Sequence, residues 1–182
     1  GVLAYLDRVT ATQDLTVTEE LGLPVAIEND EVSGNRRTVS TASGSQTVEG
    51  GVGKDLPLSG DWVNVDGRLG IVVPDATFVY RAAADHNRPG AREDLLFGRY
   101  IAGRRPYRKG EVVAQRAMVL LPDSGIEETG KLAGSARFRE EKGALVLSLT
   151  GPDGRAHTLS LSANGAVTWD GKRLVAKGVP NP

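Results

Sequence analysis

Cysteine is missing altogether from the 182 residues, which removes disulfides, thiolate metal sites and a cysteine nucleophile from consideration. The redox compartment stays open, because a chain of this length can build a sizeable core without disulfide staples. Net charge is almost as scarce. The formal value is −1, so no global field draws the chain to nucleic acid or to an anionic membrane. No run approaches the roughly 18 apolar residues of a membrane helix. Residues 1–8 lack a basic region ahead of an apolar core and are not a signal peptide.

Aromatic residues make up only 5% of the chain, which is thin for a dedicated carbohydrate-binding surface. Catalytic motifs are missing too. There is no Gly-x-Ser-x-Gly and no Ser-x-x-Lys in a plausible setting. Gly50-Gly51-Val52-Gly53-Lys54 lacks the Ser or Thr after lysine and the helical pattern of a P-loop, so it reads as a loop. Two separated histidines make no zinc site by local spacing. Asp61, Asn64, Asp66 and Gly67 have the wrong spacing for an EF-hand. No cofactor is implied.

What is present is ordinary globular composition, 40% hydrophobic and 25% charged, with 23 Gly and 9 Pro breaking the chain often. Helical periodicity is rare; short Val-, Leu-, Ile- and Thr-rich runs alternate with turn residues instead. Strands are predicted over 3–10, 15–18, 23–28, 36–42, 46–49, 77–81, 95–101 and 111–121, with a loop over 50–60. Ser124-Gly125-Ile126-Glu127 fits a capping box and predicts one short helix over about 124–132. From 144 onward, Leu145, Leu147 and Leu149, then Leu159 and Leu161, alternate across turns at 151–154, 164–165 and 170–171. That is a meander of three or four strands.

The sharpest local signal lies in 62–73. Asp66-Gly67 between two alternating apolar runs predicts a type I′ hairpin. With a two-residue loop, Val65 opposes Arg68, and Trp62 shares a face with Leu69, Ile71 and Val73. Both faces are largely apolar, as expected of a strand pair covered on both sides. The whole pattern predicts an all-β fold, an antiparallel β-sandwich forming one domain over 1–182. The chain starts at Gly1 without Met and reaches strand-like sequence by Leu3, as expected of a domain excised from a larger protein.

Candidate functional residues cluster in 99–109. Arg99, Tyr100, Arg104, Arg105, Tyr107, Arg108 and Lys109 occur there with no acidic residue among them. Cations interleaved with aromatics grip phosphates, sulfates or uronates, while rings stack on bases or sugars. The plainer alternative is a solvated loop whose arginines pair with Glu93, Asp94 and Glu111. His86, in the polar loop 85–92, is a second candidate; its default reading is an exposed loop histidine. His157 has the parity of Leu159 and Leu161 and reads as a half-buried, satisfied histidine. Trp62 is a candidate contact residue if exposed, but its neighbours argue for packing, as do those of Trp169. The scattered carboxylates, Glu28, Asp30 and Glu31 or Glu127 and Glu128, read as surface solvation.

Three stretches together carry a family resemblance: Tyr5-Leu6-Asp7-Arg8-Val9-Thr10-Ala11, the 62–73 segment, and Gly110-Glu111-Val112-Val113 leading into Met118-Val119-Leu120-Leu121. They resemble the β-sandwich modules attached to secreted bacterial glycoside hydrolases and polysaccharide lyases. The resemblance implies a non-catalytic module, usually C-terminal, that buttresses the catalytic domain of the same polypeptide and touches polysaccharide at its edge. It carries over no catalytic residue and no metal ligand. Two alternatives stand beside it: a standalone binding module for an anionic glycan, and a small enzyme using the His86 loop.

Overall fold

The computed structural model describes residues 1–17, 22–27, 36–49, 55–74, 77–84, 92–99 and 105–174. Among them the chain runs through β1 (Leu3–Thr10), β2 (Leu15–Thr16), β3 (Gly22–Ile27), β4 (Arg36–Thr41), β5 (Gly44–Glu49) and β6 (Asp55–Leu58). It continues through β7 (Trp62–Val65), β8 (Leu69–Val72), β9 (Thr77–Ala84), β10 (Arg92–Arg99), β11 (Pro106–Tyr107) and β12 (Val112–Pro122). Helix α1 (Ile126–Ser135) precedes β13 (Arg137–Glu141), β14 (Ala144–Thr150), β15 (Ala156–Leu161), β16 (Val167–Trp169) and β17 (Lys172–Leu174). All the described strand pairs are antiparallel. The fold is all-β with a single short helix among the described residues, as the sequence predicts.

A six-stranded sheet, ordered β1-β12-β8-β7-β4-β5, is the middle layer. Alternation along β12 shows why: Ala117, Val119 and Leu121 point to one side, Met118 and Leu120 to the other. The first side closes against Leu132 and Ala133 of α1 and against Leu147, Leu149 and Leu159 of a five-stranded sheet, β13-β14-β15-β16-β17. The second side, with Val39, Val63, Val65 and Ile71, closes against Leu58 of a four-stranded sheet ordered β3-β10-β9-β6. Both faces of the hairpin are therefore covered, and the architecture is sandwich-like. Trp62 and Trp169 are half-buried against the first core.

The hairpin register differs from expectation. Asp66 (φ 54°) and Gly67 (φ 67°) do form the left-handed turn, and Arg68 N–H donates to the Val65 carbonyl at 3.0 Å. Val65, however, pairs with Leu69 and Trp62 with Val72, leaving Arg68 outside the ladder. The Arg68 carbonyl instead accepts from Ser124 N–H at 3.0 Å. One residue of slip exchanges every face of β8. Leu69 and Ile71 join Val63 and Val65, while Gly70 and Val72 join Trp62 and Asn64. Packing against α1 explains the choice. A Cβ on Gly70 would overlap Thr129 Oγ1 and lie 2.9 Å from Ser124 Oγ, so no larger side chain fits there.

Three further elements depart from the sequence reading. The predicted loop over 50–60 contains β6, whose Pro57 is tolerated because β6 is a sheet edge. The C-terminal meander has five strands because β13, Arg-Phe-Arg-Glu-Glu, hides its single inward residue among charges. Such charges suit an edge strand, since they discourage pairing with other chains. Helix α1 spans Ile126–Ser135 with Gly125 as N-cap and no side-chain cap. The capping box does not form, because Ser124 turns inward, where its hydroxyl donates to the Leu121 carbonyl at 3.1 Å.

Candidate functional site

Residues 105–109 of the predicted patch are shaped by two short strands far apart in sequence. Thr16 pairs with Pro106 and Leu15 with Tyr107, and Val17 N–H adds a bond to the Arg105 carbonyl at 3.1 Å. Beyond β11 the chain turns through Gly110 (φ 89°), a left-handed position suited to glycine. Gly110 N–H then donates to the Ala11 carbonyl at 2.8 Å, and Ala11 N–H to the Glu111 carbonyl at 2.9 Å. Two carboxylates hold the turn from outside. Glu111 Oε2 accepts Arg108 N–H at 2.6 Å, and Asp14 Oδ1 accepts Lys109 N–H at 2.8 Å. Hydrogen bonds from backbone amides to charged acceptors are among the stronger ones, so the turn is firmly set.

Beneath the turn lies a small third core of Ala11, Tyr107 and Val113, with Val9, Leu15 and Val17 packed around it. Tyr107 is only 4% exposed. Its ring is therefore no platform for a sugar; it is a base for Arg105, whose guanidinium carbon sits 3.9 Å from the ring centroid. Arg105 Nη1 donates to the Pro106 carbonyl at 2.9 Å and lies 3.5 Å from Glu111 Oε2. The result is an open cleft of about 680 Å³ between Asp14, Leu15 and Thr16 on one side and residues 105–108 and Glu111 on the other.

The structure thus brings together Arg105, Tyr107 and Arg108 of the predicted site and adds Asp14, Thr16 and Glu111. The Arg105–Glu111 pairing expected of a solvated loop is also present. Asp14 had no local signal, because it meets Lys109 across 95 residues of sequence. Arg99 closes β10, its backbone paired with Gly22 and Thr77. Tyr100, Arg104 and His86 lie outside the described residues. Trp62 lines no part of the cleft; its indole lies against Gly130 of α1.

A second polar group surrounds His157. Its Nδ1–H donates to Asp170 Oδ2 at 2.8 Å, Nε2 lies 3.5 Å from Asp153 Oδ1, and the ring stacks on Trp169 with centroids 5.0 Å apart. The hydrogen bond to Asp170 raises the His157 pKa above its ordinary value, burial opposes it, and Asp153 adds a smaller upward pull. Asp170 is lowered chiefly by the same bond, and Asp153 chiefly by the Arg155 backbone N–H. With one carboxylate on each ring nitrogen, the three groups cannot converge on one ion. Among the described residues no cluster of His, Asp and Glu is arranged to hold a metal. The histidine is satisfied and half-buried, as its parity predicts.

The chain matches no family model, no curated protein and no solved structure. Its functional reading therefore rests on the cleft, the fold and the resemblance set out above.

Proposed function

We propose that the chain is a non-catalytic β-sandwich module of a larger secreted bacterial enzyme, a glycoside hydrolase or polysaccharide lyase. It packs against the catalytic domain of the same polypeptide and touches polysaccharide through the Arg105 cleft. The observation that carries this reading is the cleft itself: a preformed polar concavity of about 680 Å³ whose cationic wall stands on a buried aromatic floor. Sites of this kind, on loops braced by rigid strands, are where proteins place ligand contacts. A second support comes from topology. The three stretches that carry the resemblance fall on β1, β12, β8 and β7, which are consecutive neighbours in the middle sheet. The resemblance thus covers one continuous piece of scaffold.

The native polypeptide carrying this domain is the direct test, by immunoblot of source cells and culture medium. A band in the medium much heavier than 19.2 kDa is expected. A band at the size of this chain would sink the accessory-module reading.

A further inference from the structure

We infer that the cleft between β2 and β11 binds the carboxylate of an acidic, hydroxyl-rich polysaccharide, a uronate-type group, on Arg105 with Arg108 beside it. This rests on the reading above that the chain touches polysaccharide, and it names the ligand class.

Arg105 provides the geometry. Its guanidinium carbon lies 3.9 Å from the centroid of the Tyr107 ring, and that ring is packed into the third core, which gives the cation a fixed footing. Nη1 is already engaged by the Pro106 carbonyl and Glu111. Among the described residues no acceptor engages Nε or Nη2, and the side chain is 52% exposed and lines the cleft. A flat guanidinium with one edge anchored and the other open is a two-donor fork. It matches the two oxygens of a planar carboxylate.

The neighbouring charges narrow the class. Among the described residues, Arg105 and Arg108 line the cleft with Asp14 and Glu111 and Lys109 adjoins it, so these groups together are cationic by a small margin. Each carboxylate spends one oxygen on a turn amide, and its other oxygen remains an acceptor for hydroxyl donors. A chain with one carboxylate per sugar and many hydroxyls satisfies both kinds of group. A densely charged polyanion meets Asp14 and Glu111 as like charges and is disfavoured. Since the Tyr107 ring is covered, no stacking on the sugar ring contributes, and binding depends on charge and therefore on salt.

The test is titration of the whole chain with polygalacturonate, dextran and dextran sulfate at low and moderate salt. Binding to polygalacturonate is expected, weakening with salt, with no binding to dextran and weaker binding to dextran sulfate. Arg105→Ala is expected to weaken binding about tenfold or more, and Arg105→Lys to restore little, because an ammonium lacks the fork. Arg108→Ala, at an exposed position, is expected to weaken it about threefold. This variant carries the test if removing Arg105 from above Tyr107 perturbs folding, as judged by circular dichroism. Tighter binding to dextran sulfate, or unchanged binding in both alanine variants, overturns the inference. Binding to dextran in place of polygalacturonate overturns the carboxylate but leaves the polysaccharide reading standing. Binding to none of the three overturns this inference, and the mass of the native polypeptide then judges the module reading separately.

Discussion

Asn64 and Gly70 face each other across the hairpin and show how single residues join two elements. Asn64 is fully buried, and its amide donates to the Ser124 carbonyl at 2.9 Å and to Thr129 Oγ1 at 2.8 Å. Gly70 leaves the space that Thr129 fills. Gly70→Ala is therefore expected to destabilise by about 1–3 kcal/mol through overpacking, read as a lower urea midpoint. His157 gives a prediction in pH. Its folded pKa is raised above the ordinary 6.5, so its stabilisation is complete below that value and fades as pH rises through the folded value. Asp153 and Asp170 are lowered, so theirs is present above the ordinary carboxylate range and lost as pH falls through the folded values. The C-terminal sheet should be most stable between these limits. His157→Gln should flatten the alkaline side of a plot of thermal midpoint against pH; an unchanged slope there would refute the coupling. The half-buried state of His157 was legible from strand parity alone. Its two carboxylate partners were not, because they sit in separate turns 17 residues apart in number, at 153 and 170, and only sheet pairing brings them together.

Helix α1 is the element whose existence the sequence announced and whose start it misplaced. A Ser-x-x-Glu spacing stabilises a helix start only where the serine faces the first-turn amides. Here Ser124 is drawn inward by the Leu121 carbonyl and by Thr129, so a local signal yielded to tertiary contact. The helix also carries two glycines at a cost in propensity. Gly134 is exposed, and a Cβ there would meet nothing within 4 Å. Gly134→Ala is expected to stabilise by about 0.5–1 kcal/mol, measured by chemical denaturation. At Gly130 the new methyl would lie 3.4 Å from the Trp62 ring, so Gly130→Ala should gain less. Among strands, those with long apolar runs, such as β12, or regularly spaced leucines, such as β14, were readable directly. Two edge strands, β6 and β13, were not, although the edges β1, β3 and β5 were. β6 carries a proline and β13 mostly charges, and both features are tolerated at an edge because one side of the strand needs no partner.

At the scale of the molecule, stability is centred on the middle sheet. Ile71 and Val119 are both fully buried and belong to different cores on its two sides. Ile71→Ala should cost about 2–5 kcal/mol. The amides of β8 and β12, interior to that sheet, are expected to exchange with deuterium only on global unfolding. Those of β17, an edge strand whose residues are exposed, should exchange by local opening. Comparable protection in β17 and β8 would contradict this picture. Sequence by itself determined the all-β class, the positions of most strands, the left-handed Asp66-Gly67 turn and the two-sided burial of the hairpin, because each follows from local periodicity or from backbone preferences of one or two residues. Only tertiary structure decided the hairpin register, the true helix start and the composition of the cleft. Register was set by the space under α1, where nothing larger than Gly70 fits. The cleft was set by pairing of β2 with β11, which lays Arg105 on a buried Tyr107 and brings Asp14 to a turn some ninety residues away. Contacts across such separations leave no periodic trace in a single chain, and so the chemistry of the site became visible only after folding.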